Sequence, residues 1–501
     1  RQIMMSKLKW RKANATDQTH SISSTFALHS PRVRHIMPSI LTSLPLTTRQ
    51  LCRTLLLMAT LLSLSACGGG SGGSNAPRPE AFAVGGTVSG LAGSGLVLQN
   101  NAGDDLLISG NGNFTFSTSV NSGSNYAVTV RTPPYAVTQR CSISNGSGTV
   151  DSSAITNVVV TCVTPTTRYV LVPNRYSNNV SVYSVNPSSG ALVAVSGSPF
   201  ATGSEPTSVM VEPSGRFAYV TNLSGNSVSA YAIDASTGAL TPVSGSPYTV
   251  SSPYMVAADP GGRFIYTANF SSPSSISVFR IDNATGGLAN VAGSPFSMGM
   301  LPYALTVSPN GQHLYVADYS ANTIMALSVN ASTGAVTMLS GSPYATGSLP
   351  TGVSMTPNGR FLFALIGADD LLTTFTANTT TGALSSTSSV ATPAPAFAQG
   401  VTVDPSGRFV YTANSGSNSV SAFALDASGI LTPLVGSPVI APGGARPNYI
   451  TAEPMGKFVF VSNPNNNTVS TYTIDSTTGL LVHTGTVSSG SEPATIAVVG
   501  Y

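Results

Sequence analysis

Pro213–Asn222 reads PSGRFAYVTN, and the phrase returns as PGGRFIYTAN from 260, PNGQHLYVAD from 309, PNGRFLFALI from 357, PSGRFVYTAN from 405 and PMGKFVFVSN from 454. The step from Arg216 through Arg263, Gln312, Arg360 and Arg408 to Lys457 is 47 to 49 residues, and RYVLVPN from Arg168 is an earlier partial copy. A fixed period of this length predicts a repeat architecture of seven units. Written out from Pro206, one unit is PTSVMVEP, SGRFAYVTN, LSGNSVSAYAID, ASTGALTPVSGSPY. Its segments are rich in Val, Ile, Tyr, Phe and Thr, alternate patchily with period two and are separated by Pro, Gly, Asn and Ser, which predicts four short strands. No segment carries a helical period. The Gly of P-x-G-R and of the Asp-Ala-Ser-Thr-Gly stretch supplies the positive φ of tight turns. GSPF or GSPY closes units at 197, 245, 293 and 341, and GSPV at 436.

A lone sheet of four strands cannot bury both faces, so the sheets must stack, and radial stacking makes a propeller. The first unit lacks the strand that precedes P-x-G-R elsewhere. Gly490–Tyr501, GSEPATIAVVGY, matches GSEPTSVMVEP from Gly203 and has no second strand after it. The last strand is therefore expected to complete the first blade, removing two open edges. The expected class is all-β: a seven-bladed β-propeller over 165–501, preceded by a small β-sandwich over 82–164, a linker over 67–81 and a leader over 1–66.

Composition shifts mark these parts. The leader holds nine of the 21 Lys and Arg and one of the 18 acidic residues, so the overall pI of 8.6 belongs to it. The rest is net acidic and offers no basic face for nucleic acid. LCRTLLLMATLLSLSAC places Arg49 and Arg53 ahead of an apolar run too short to span a bilayer, as an export signal does. Leu64–Cys67 resembles the lipobox of bacterial lipoproteins, which implies lipidation at Cys67 and membrane attachment; the alternative is a plain signal peptide with an incidental Cys. Gly68 after that Cys implies the outer membrane of the cell envelope, with periplasmic or surface-facing orientation open. GGGSGGS from Gly68 is a flexible tether. Met37 is the expected natural start. In the sandwich, Cys141 and Cys162 are the thiols left after Cys52 and Cys67 are set aside, and an oxidising envelope predicts a disulfide between them. Two thiols alone do not complete a zinc site.

YVTN and YTAN, with P-x-G-R-F before and S-V-S-x-Y or S-x-F after, resemble the YVTN-repeat propellers and the lactonase-like seven-bladed propellers that include 6-phosphogluconolactonase. The resemblance spans about 166–501. It implies His, Glu and Arg in the loops entering the innermost strands. Here those loops contain no His, and Arg446–Pro447 alone matches the family's Pro-Arg segment. His313 falls in the P-x-G-x turn on the opposite face and His483 on an outer strand, so a His base in the family's position is absent.

Around the ring, Arg446 enters the seventh blade, Glu492 the strand closing the first and Glu205 the second. These three consecutive loops lie on the face where propellers bind, and Glu205, Arg446 and Glu492 are the candidate catalytic or binding residues, set against a reading as solvated loop charges. The Asn or Asp after the second strand, Asn174, Asn222, Asn269, Asp318, Asn414 and Asn463, reads as turn chemistry rather than a ligand ring. Asp369 and Asp370 supply too few oxygens for calcium. The only Trp is Trp10, so no Trp platform for sugars exists, and no cofactor, phosphate loop or nucleophile motif is visible. The functional expectation is a monomeric envelope propeller binding a wall polymer, a protein or a small ligand; the alternatives are a lactone hydrolase, as the resemblance implies, and a structural or adhesive role.

Overall fold

The computed structural model describes residues 80–135, 139–271, 273–298, 301–393 and 397–500; Cys67, the leader and the linker before Glu80 lie outside the described residues. Seven antiparallel sheets repeat the order read from the sequence, innermost strand first, as in Pro206–Val211, Phe217–Asn222, Ser227–Ile233 and Leu240–Pro242. The second strands, from Phe217–Asn222 to Phe458–Asn463, are buried along their whole length. Each lies inside a sheet covered on both faces by neighbouring blades. That is why the sequence alternates only patchily: a strand with two apolar environments has no solvent face to mark. Ala497–Gly500 pairs antiparallel with Thr167–Asn174, so the last strand closes the first blade as expected.

Small residues lock blade to blade. Gly334 sits at φ +78° in a turn, and a Cβ there would come 2.5 Å from Phe264 Cδ1 of the preceding blade. The corresponding Gly286, Gly382 and Gly479 accept hydrogen bonds from Tyr219, Tyr315 and Tyr411 of their preceding blades. The T-G signature is thus an inter-blade contact as well as a turn. The arginines of P-x-G-R lie over the next Phe, as Arg216 does over Phe217 at 5.3 Å. Their heads reach across to the next blade, Arg216 donating to the Asn283 carbonyl at 2.7 Å and Arg408 to that of Ser476 at 2.7 Å. The serine of each GSP motif accepts a third-strand N–H, as Ser246 does from Ala230 at 2.9 Å.

Two sequence expectations need correction. The recurring Asn side chains are buried cross-strand donors rather than turn starters: Asn222 Nδ2 donates to Ser227 and Ser229, and Asn414 Nδ2 to Ser419 and Ser421. The strand alternation places small hydroxyls opposite the amide, which satisfies it better than its own backbone does. Only Asp318, beside Met325, turns back onto the backbone N–H of Ser320 and Ala321. His313 is not a turn residue; it opens a second strand, is buried, and occupies the position held by Phe in five of the other repeats and by Tyr169 in the first.

Strands from Val84 to Val163 form two four-stranded sheets around one core that includes Val84, Leu96, Leu98, Tyr126, Val158 and Val160, a small β-sandwich, with Ala81–Phe82 and Val120–Asn121 as a separate two-stranded pair. One of its sheets contains a parallel pair, Val84–Ser89 with Ile155–Val163. Cys141 and Cys162 are cross-strand partners joined by the expected disulfide. Arg140 donates to the carbonyls of Ser214 and Gly500 at 2.6 Å each, at the P-x-G-R end of blades one and two. Arg131 and Tyr135 share a cleft with Asn310 and Asn358, the same turns of blades four and five. The sandwich therefore lies across the P-x-G-R end of the ring, and none of its described residues is placed on the opposite face. Among the described residues no helix is long and apolar enough to cross a membrane.

Candidate site at the channel mouth

The open face is built by a repeated latch. In five of the seven blades an Asn in the loop after the second strand accepts the backbone N–H of the residue that enters the next blade's innermost strand: Asn178 from Glu205, Asn226 from Ser252, Asn322 from Leu349, Asn418 from Arg446 and Asn467 from Glu492, at 2.8 to 2.9 Å. Both partners in each latch take φ of 44 to 59°. Ser252 and Leu349 share this backbone with the charged residues, so the strain belongs to the architecture and is not itself a functional mark. The latch fixes where the side chains at these positions start.

Glu205 and Glu492 come together, but their cation is Arg175. This residue, in the first blade's loop between second and third strands, donates from Nε to Glu205 Oε1 at 2.8 Å, and its Nη1 lies 3.9 Å from Glu492 Oε2. Burial opposes the charge of Arg175, but the hydrogen bond and charge of Glu205, helped by Glu492, outweigh it and raise its pKa. Glu205 is fully engaged, its Oε2 accepting from Ser224 Oγ. Glu492 differs: its Oε2 is buried and accepts no hydrogen bond among the described residues. Its charge is the main reason the phenol pKa of neighbouring Tyr176 is raised. Arg446 is exposed, and among the described residues its guanidinium forms no salt bridge; only its N–H is held, by Asn418. The sequence triad thus resolves into a bridged pair and a separate rim cation.

Below the mouth, side chains from four blades meet on the axis. Each of blades two to six begins its innermost strand with a bulge right after the Pro or Ala, between Pro253 and Met255 for example, and the bulged residue points away from the ladder. In blades three and four that residue is Tyr254 and Tyr303; in blade six it is Gln399. Tyr254 Oη donates to Tyr303 Oη at 2.8 Å and lies 3.4 Å from Tyr449 Oη of blade seven, while Tyr303 Oη donates to Gln399 Oε1 at 3.4 Å. Phe270 and Tyr319 extend this group: Tyr254 lies 5.8 Å from Phe270, and Tyr303 is 4.6 Å from Tyr254 and stacks on Tyr319 at 5.2 Å. The rings are half-buried. Burial raises the pKa of Tyr254, Tyr303 and Tyr449 well above the phenol range, and the charge of Arg175 reaches Tyr254 and Tyr449. The phenols are therefore neutral donors facing the Arg–Glu bridge.

Sequence reasoning missed Arg175 and the tyrosines. Arg175 was visible as the sole cation of the loops between second and third strands, and Tyr254 and Tyr303 stand right after the Pro in SSPYMV and MLPYAL. Asp369 and Asp370 serve the loops, accepting the N–H of Ser348 and Phe397. Among the described residues no group of three or more His, Cys, Asp or Glu is placed to hold a metal ion.

The family model described as "Lactonase, 7-bladed beta-propeller" matches residues 193–300, 301–399 and 394–498. Among solved structures, a Bacteroides fragilis protein assigned provisionally as a 6-phosphogluconolactonase superposes with a TM-score of 0.59 at 20% identity, covering 67% of this chain and 98% of its own. The periplasmic gluconolactonase PpgL of Pseudomonas aeruginosa gives 0.57 at 21% identity, covering 66% and 99%. A Lactobacillus plantarum protein gives 0.57 at 20% identity, covering 66% and 99%. Identities this low establish the fold alone. No curated protein matches the chain.

Proposed function

The chain belongs to the lactonase family of seven-bladed β-propellers, and from that premise we propose that its channel mouth binds a small polyhydroxylated ligand of the sugar-lactone class, in a protein tethered to the cell envelope through a lipid on Cys67. The observation that carries the binding reading is Arg175, held between Glu205 and Glu492 above the tyrosine hydroxyls. Carboxylate and phenol oxygens accept from ligand hydroxyls, while the guanidinium donates to a carbonyl or ring oxygen. The four-blade convergence gives the channel a floor, so a ligand entering from the open face stops against it. The periplasmic location of the Pseudomonas neighbour is consistent with an envelope role, which otherwise rests on Leu64–Cys67.

A second reading, lactone hydrolysis, is favoured by Glu492 Oε2, which faces Arg175 at 3.9 Å and accepts no hydrogen bond among the described residues. Glu205 has no oxygen left for a base, so Glu492 would take a proton from water as the water oxygen attacks the lactone carbonyl carbon. Arg175, rather than Arg446, stands beside it to stabilise the developing oxyanion. The ring C–O bond then breaks, and its oxygen takes the proton back from Glu492. Calorimetric titration and initial-rate measurements of the purified protein with sugar lactones test both. Binding abolished in Arg175→Met supports the site. Turnover lost in Glu492→Gln with binding retained makes the protein an enzyme. Absence of binding to every lactone and sugar of the panel, with the fold intact, removes the proposal.

A further inference from the structure

We infer that the channel mouth selects an uncharged sugar ring and rejects its phosphate ester. This inference rests on the ligand class proposed above and narrows it. The loops of the open face, those entering the innermost strands and those joining second to third strands, carry two arginines, Arg175 and Arg446, and no Lys or His. The same loops carry four carboxylates: Glu205, Glu492, Asp369 and Asp370. Arg175 is already shared by two of the four, so the bridge itself is net negative. Arg446 lies apart on the rim, exposed, and one exposed arginine is a poor counterweight for a phosphate dianion facing that excess.

The other half of the mouth is aromatic. Phe270, Tyr254, Tyr303 and Tyr319 form a continuous run of rings on blades three and four, opposite in character to the Arg–Glu sector of blades one and two. A pyranose has just these two demands: an apolar C–H face that packs on an aromatic ring, and hydroxyls that need acceptors and donors at its edge. The tyrosine hydroxyls hydrogen-bonded across the axis supply neutral partners without adding charge. Charge on the ligand is therefore the discriminating feature, and the ring is the recognised one.

Affinities of the full protein for glucose and glucose 6-phosphate, and initial rates with gluconolactone and its 6-phosphate, test this directly. The neutral ligand is expected to bind about tenfold tighter or better, with the gap shrinking as salt rises from 0.05 to ~0.5 M, because screening weakens repulsion but not stacking. Glu492→Gln is expected to narrow the same gap, and Tyr303→Ala to weaken both ligands alike. Equal or tighter binding of the phosphorylated form overturns the inference and leaves the sugar-lactone reading standing. Binding of neither form removes both, and the salt series decides the charge argument even if a variant fails to fold.

Discussion

The two ends of the ring use the same residue types for opposite purposes. At the P-x-G-R end, Glu212, Asp259 and Asp404 are buried carboxylates spent largely on backbone N–H groups of their own repeat: Asp259 accepts from Phe264 at 2.8 Å, and Asp404 from Arg408 and Phe409 at 2.8 Å each. Glu453 does the same and also accepts from Thr167 Oγ1 of the first blade at 2.8 Å. At the open end, Glu205 and Glu492 enter the second and first blades, are half-exposed, and hold an arginine supplied by the first blade. A buried carboxylate filled by backbone N–H groups is part of the fold. A half-exposed one that holds a side-chain cation is available to a ligand. The sandwich sharpens the contrast by lying across the first end.

The largest effect that separates the two ends is on stability. Asp259→Ala strips the partners from buried N–H groups and from Arg263, and should cost about 3 kcal/mol in chemical denaturation while ligand affinity is unchanged. Arg175→Met reverses the pattern: ligand affinity should fall at least about tenfold, whereas stability falls by about 1 kcal/mol because the bridge is partly solvated. A denaturation midpoint that shifts as far for Arg175→Met as for Asp259→Ala would erase the distinction.

The smallest effect is a pH dependence. His313 is buried, and burial lowers its pKa below the usual 6.5, so the folded state binds less proton than the unfolded one in the window just below pH 6.5. Stability should therefore decline as pH falls from 7 through that window. His313→Phe, which restores the residue of five other repeats, should flatten the slope without touching ligand binding, as parallel melts at pH 7 and 5.5 would reveal.

The propeller was legible because its signals are local and repeated: strand composition, turn glycines and a period that any one unit displays. Glu205 and Glu492 were legible for the same reason, since their loops can be aligned with five others. The site's cation was not. Arg446 and Arg175 both stand in loops of that face, and only the return of the last strand to the first blade, beside blade two, brings Arg175 to both carboxylates. The recurring Asn residues were misread because their partners lie five to eight residues away across a strand pair, beyond the reach of a turn argument.

By itself, then, the sequence determined the blade, the number of blades and the closing strand, consequences of spacing along the chain, and the disulfide pair, the two thiols left once Cys52 and Cys67 are set aside. The tertiary structure alone decided which end of the ring is free, which arginine joins the two glutamates and that Tyr254, Tyr303 and Tyr449 meet on the axis. These last residues are 49 and 146 positions apart in sequence and touch because the ring closes, a condition no local pattern encodes.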